Sequence, residues 1–161
     1  MSSKPIPRRV LLIGLMGLAS CGFVPIYGAD NGFRGQVDFL TDESIAGFRL
    51  RERLEDRLGR SVAPRFTLKT TLRSSQRAAA ISSEGDTSRF NIIGTAEWSL
   101  VSLETAAVLD SGKVEAFTSY SATGSTIATQ ATRDDAEARL SVILADLIVS
   151  RILVLDTEQD Q

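Results

Sequence analysis

The sequence predicts an α+β domain, a two-layer sandwich in which one four-stranded mixed sheet carries two helices on one face, in the order β-α-β-β-β-α. Three observations lead there. Two stretches, 41–59 and 133–155, repeat apolar residues at helical spacing, and four others alternate with period two. The helical stretches come second and last in that order, too few segments in all for a closed barrel. A chain of 161 residues has room for one such domain with a real core.

The first strand is expected over Gln36–Leu40, with Val37 and Phe39 turned to one side. A helix should follow, capped by Thr41, with Asp42 and Glu43 at the positive end of its dipole and Gly59 stopping it. Its core stripe would be Ala46, Leu50, Leu54 and Leu58, leaving Ile45 and Phe48 to pack separately at the first turn. The arginines of this stretch are interleaved with acids, and Arg51 and Glu55 stand at the four-residue spacing that pairs on a helix. After Pro64, Phe66, Leu68, Thr70 and Leu72 alternate with Thr67, Lys69 and Thr71, a half-buried strand that continues through Ala78, Ala80 and Ile81 to a polar loop at 82–88. A third strand from Phe90 to Leu103 and a fourth from Val108 to Tyr120 form a hairpin turning near Glu104 and Thr105. Finally, Thr132 and Asp135 have capping-box spacing ahead of a helix over 133–155, with Ala136, Leu140, Ile143, Leu144, Leu147, Ile148 and Leu155 as its stripe. With both helices on one side, the other sheet face is left for a partner.

Ahead of this domain, residues 1–20 have the plan of an export signal: Lys4, Arg8 and Arg9, then an apolar run from Val10 to Leu18, then Ala19 and Ser20. The run falls short of the ~20 apolar residues that span a bilayer. Leu18-Ala19-Ser20-Cys21 resembles the lipobox of bacterial lipoproteins, which makes Cys21 the lipidation site and the first residue of the mature protein. Gly22 stands where an Asp commonly marks inner-membrane retention, so the pattern resembles that of lipoproteins sorted to the outer membrane. Residues 21–35 read as a lipidated tether, 36–156 as the domain and 157–161 as a polar tail.

Composition narrows the chemistry. From Cys21 onward 15 basic residues face 20 acidic ones, which argues against a general affinity for nucleic acid. The absence of histidine removes the commonest general base and metal ligand, and a single cysteine forbids an intrachain disulfide. There is no phosphate loop, dinucleotide glycine pattern or metal-ligand cluster. Lys69 and Lys113 lack a motif that would place either as the base of a serine nucleophile. Neither catalysis nor a cofactor or metal is expected.

The stretch Cys21-Gly22-Phe23-Val24-Pro25-Ile26-Tyr27-Gly28 resembles the mature N-terminus of the lipopolysaccharide-assembly lipoproteins (LptE), with Ile26 in place of the usual leucine. The C-terminal half is similar to that family too: Tyr120 closing a strand, then Ile127-Ala128, Arg133-Asp134-Asp135-Ala136, Arg139-Leu140, and Leu144-Ala145-Asp146 leading to Arg151. The resemblance implies a non-enzymatic outer-membrane lipoprotein facing the periplasm. Its role would be plug and assembly partner of the β-barrel that delivers lipopolysaccharide to the cell surface. It further implies contact with lipopolysaccharide through basic side chains at loop ends. Arg77 and Arg89, flanking the polar loop, are the candidates, because arginine's fork of donors suits lipid A phosphates. A competing reading is an auxiliary lipid-binding lipoprotein of an envelope ABC-type transporter, which calls for an apolar cavity. A lipoprotein hydrolase would need a serine and a lysine within hydrogen-bonding reach.

Overall fold

The structure, a computed structural model, describes residues 32–81, 87–122 and 125–159. The signal peptide, Cys21 and the start of the tether, most of the polar loop and the last two residues lie outside these. The element order is β1 (Val37–Leu40), α1 (Ile45–Leu58), β2 (Phe66–Ile81), β3 (Thr87–Ser102), β4 (Val108–Ser121) and α2 (Thr126–Gln159). The sheet runs β1-β2-β3-β4, with β1 and β2 parallel and the rest an antiparallel meander. This is the four-stranded mixed sheet and the β-α-β-β-β-α order that the sequence predicts.

Alternation sorts each strand onto two faces. Val37, Phe39, Leu68, Ile92, Ala96, Trp98, Leu100, Val114 and Tyr120 all turn to the helices and are buried. Phe90 stacks on its cross-strand neighbour Tyr120, ring centroids 5.4 Å apart. Thr67 is expected on the outer face with Lys69 and Thr71, yet it is buried, because Asp38 and Val101 flank it on the adjoining strands.

The first helix begins later than its sequence suggests. Ser44, not Thr41, is the N-cap, its hydroxyl accepting from Gly47 N at 3.0 Å. Asp42 is drawn away from the helix: its carboxylate accepts a 2.6 Å hydrogen bond from Leu72 N on the edge of β2. The helix then buries Gly47, Leu50, Leu54 and Leu58, so the stripe starts at Gly47 and Ala46 is only half-buried. A Cβ at position 47 would collide with the Asp42 carbonyl, which is why a glycine occupies the inner face of this turn. That rotation turns Ile45 and Phe48 outward, 83% and 63% exposed, so the expected packing at the first turn does not form.

The second helix is longer than its apolar stripe. Thr132 and Asp135 lie inside it, and the start is at Ser125, whose hydroxyl accepts from Ala128 N. Thr132 instead donates its hydroxyl to Thr129 O and Ser121 O. The extra turns are held by local pairs, Gln130 to Asp134 at 2.7 Å and Arg133 to Glu137 at 2.9 Å, and not by burial. At its other end the helix runs through Gln159, into the stretch read as a polar tail. Of the expected stripe, Ala136, Leu140, Leu144 and Ile148 are buried and Leu155 half-buried, while Ile143 and Leu147 remain about 40% exposed. Ser141, Ala145, Val149, Ile152 and Leu153 complete the buried side.

The core also starts before the expected boundary. Phe33, within the stretch read as tether, is 2% exposed and meets Phe66 edge-on at 5.0 Å. Gly35 N donates to Leu58 O at 2.7 Å and ties this turn to the end of α1.

A close seam between the layers lies at Gly94 in β3, where a Cβ would lie 2.8 Å from Leu140 Cδ2 and 3.2 Å from Leu144 Cδ1. Both leucines are buried, but the atoms that would have to give way are the ends of their side chains, which border an open groove. Gly94→Ala should therefore destabilise the domain by about 1 kcal/mol, the low end of the cost of overpacking. Urea denaturation checks this, with the midpoint expected to fall at unchanged slope.

Candidate functional site

Because both helices lie on one side of the sheet, the opposite side is a polar surface crossed by regular rows of side chains. Strand register sets those rows. Thr71, Glu97 and Lys113 form one; Arg73, Thr95 and Glu115 the next; then Ser75, Ile93 and Phe117; then Arg77, Asn91 and Ser119. The surface carries charge on β2 and β4 and has two apolar spots, one where Phe117 is 66% exposed beside half-buried Ile93 and one where exposed Val108 pairs with half-buried Val101.

Arg77 and Arg89, proposed from sequence as ligand contacts, lie on this face and are exposed. They sit on neighbouring strands, Arg77 opposite Asn91 and Arg89 opposite Ala80, so the fold brings both to one end of the sheet beside residues 82–86. Neither forms an ion pair among the described residues. Arg73 belongs with them, four residues before Arg77 and on the same face of β2 by alternation; period-two counting from Lys69 would have found it. Cys21 lies outside the described residues.

The helical layer carries a different kind of charge. Asp146 of α2 accepts from Arg53 Nε and Nη2 at 3.0 and 3.1 Å and from Arg57 Nη1 at 2.8 Å, clasping the two helices together. On α1, Glu55 accepts from Arg51 at 2.9 Å and from Arg60 at 2.9–3.0 Å. The Arg51 hydrogen bond chiefly, with Arg60 adding to it against the opposing cost of burial, holds the Glu55 carboxyl below the ordinary 4.5. These arginines are thus engaged in holding the helices.

Three open grooves are worth naming. One of about 340 Å³ lies between the N-terminal end of α1, α2 and the edge of β2. A second, of about 450 Å³, runs between the helices and takes in Ile143. A third, of about 470 Å³, lies between α2 and β4 and takes in Leu147, so the two outward residues of the expected stripe line surface grooves. No group of metal-binding side chains occurs among the described residues, and no described helix is long and apolar enough to cross a membrane.

This two-layer α+β fold, with one sheet face closed by helices and the other left open, is shared by several solved lipoprotein domains. A lipoprotein of Caulobacter crescentus is similar over 79% of this chain and 95% of its own, at 20% identity and a TM-score of 0.66. The rare lipoprotein B of Shewanella oneidensis matches 78% of this chain and 99% of its own, at 13% identity and a TM-score of 0.62. A lipoprotein B of Nitrosomonas europaea follows at 10% identity and a TM-score of 0.60. No curated protein matches the chain. The model of the LptE family, lipopolysaccharide-assembly, matches residues 36–152, and the chain belongs to that family.

Two measurements check the electrostatics. Asp146→Ala removes the carboxylate shared by Arg53 and Arg57 and should cost about 1 kcal/mol in chemical denaturation, since the group is one-third exposed and partly screened. Glu55→Gln should lower stability near neutral pH. Because the folded-state carboxyl titrates below its ordinary value, the Glu55 contribution is complete above 4.5 and disappears as pH falls through the folded value. The gap between variant and wild type should accordingly close in acid.

Proposed function

We propose that the chain is an outer-membrane lipoprotein, anchored through Cys21 and facing the periplasm, that serves as plug and assembly partner of the β-barrel translocon delivering lipopolysaccharide to the cell surface. The observation that carries this reading is the family match over 36–152, which takes in all four strands, α1 and the buried body of α2. The open sheet face supports it. Large membrane barrels have polar interiors, and a domain face presenting mainly rows of Arg, Glu, Lys, Ser and Thr is compatible with such a lumen.

Anchoring falls to the lipid. Each buried acyl methylene contributes about 0.8 kcal/mol, so a multiply acylated Cys21 holds the protein at the membrane where one chain would release it. Arg77 and Arg89 are the proposed lipopolysaccharide contacts, since they stand exposed at one end of the open face with no acid beside them to neutralise them among the described residues. Bidentate guanidinium–phosphate pairing is the chemistry they would supply.

Pull-down of the tagged protein from detergent-solubilised membranes should bring down a large β-barrel protein; an eluate lacking one contradicts the proposal. Cys21→Ala should abolish acylation and membrane retention while leaving the melting transition of the domain unchanged, because the core starts at Phe33 among the described residues. Replacing Arg77 and Arg89 together by Glu should weaken binding of lipopolysaccharide micelles at least tenfold at low salt without loss of the barrel partner.

A further inference from the structure

The outer edge of β2 is paired for only part of its length. β1 is four residues long and matches Phe66–Lys69, whereas β2 continues to Ile81. The direction of the main-chain groups along the remainder follows from three hydrogen bonds. Phe66 N donates to Gln36 O and Leu72 N to Asp42, both on the β1 side, while Arg65 O accepts from Leu103 N on the β3 side. Period-two alternation then turns the N–H and C=O groups of Ser74, Gln76 and Ala78 away from β3. Residues 73–80 are all exposed, and no strand pairs with this edge among the described residues. The pairing with β3 stays regular up to Ala78, where the register shifts.

Natural proteins usually cover, shorten or bend such an edge, because it is a template for another strand. Here Asp42 already shows how the edge is used. Just past the end of β1, its carboxylate takes the N–H of Leu72.

The two sides of this edge differ in chemistry. On the open face stand Arg73 and Arg77, without an ion-pair partner among the described residues. On the helix side lies the 340 Å³ groove, with Ala46, Leu72, Gly94, Leu140 and Leu144 in its lining. The acids at its rim are engaged elsewhere: Asp42 accepts from Leu72 N and Glu137 from Arg133.

We propose that the β2 edge from Leu72 to Ala78 binds, by strand addition, an extended protein segment whose side chains alternate acidic and apolar. Its acidic side chains lie over Arg73 and Arg77, and an apolar one enters the groove beside Leu72. Main-chain hydrogen bonds to Ser74, Gln76 and Ala78 supply affinity, and the two flanking chemistries supply selectivity. A second copy of this chain is a poor occupant, because edge-to-edge pairing would bring arginine against arginine. The inference does not rest on the barrel reading, since any segment of this pattern satisfies it.

The test uses the purified full-length protein in mild detergent and an eight-residue peptide alternating Glu and Val, against a peptide of the same composition with its Glu and Val in separate blocks. The alternating peptide should bind at least tenfold more tightly and should slow amide exchange at Ser74, Gln76 and Ala78. Arg73→Glu with Arg77→Glu should reduce its binding at least tenfold. Gln76→Pro, which removes an outward N–H that the β2–β3 ladder does not use, should reduce binding while a cooperative melt persists. Equal binding of the two peptides, or binding indifferent to the arginine substitutions, overturns the proposal. So does concentration-dependent protection of the same amides without peptide, which would make a second copy the occupant.

Discussion

The contact between α2 and β3 at Gly94 is the constraint from which the rest of this architecture follows. The ends of the Leu140 and Leu144 side chains reach to where a Cβ at 94 would be, so a glycine there lets helix and sheet close on each other without displacing them. With α2 so placed, its stripe of Ala136, Leu140, Leu144 and Ile148 is buried, each fully buried leucine or isoleucine contributing about 1.5–3 kcal/mol. Asp146, on the flank of the same helix, is then in reach of Arg53 and Arg57, and α1 is clasped beside it. Both helices are committed to one side of the sheet, and its other face remains bare.

Much of this was legible in the sequence because the determinants are periodic and local. Alternation in Phe66–Leu72 and along β3 and β4 reports the buried face directly, and Leu50, Leu54 and Leu58 report the inner side of α1. What escaped was set by contacts distant in sequence. Thr41 resembles a cap as well as Ser44 does, and only the capture of Asp42 by Leu72, thirty residues away, decides between them. The first turns of α2 carry no apolar stripe; they persist through pairs such as Arg133 with Glu137, so periodicity starts the helix too late. Ile143 and Leu147 satisfy the stripe in one dimension but fall on either side of the surface that the sheet and α1 cover. Phe33 sits among Gly and polar residues, and its ring partner Phe66 lies far along the chain.

The interaction surfaces divide in the same way. A lipidation motif is linear, so Cys21 is visible as sequence alone. Arg77 and Arg89 could be singled out by their position around a polar loop, but their shared face depends on the β2–β3 register, including its shift between Ala78 and Ala80. The unpaired stretch of β2 has no sequence signature. It arises from a length mismatch, four residues of β1 against sixteen of β2, and from the side on which the crossover helix returns the chain.

The domain therefore separates two tasks: apolar burial between sheet and helices holds the fold, and the charged face and free edge are the surfaces proposed to meet other molecules. The most direct test is thiol labelling of Thr95→Cys, at the centre of the open face, in the isolated protein and in the proposed detergent-purified complex with the barrel. With Cys21 acylated as proposed, the introduced cysteine is the only free thiol of this chain. The account predicts ready labelling in the isolated protein and at least tenfold slower labelling in the complex; equal rates in the two states would contradict it.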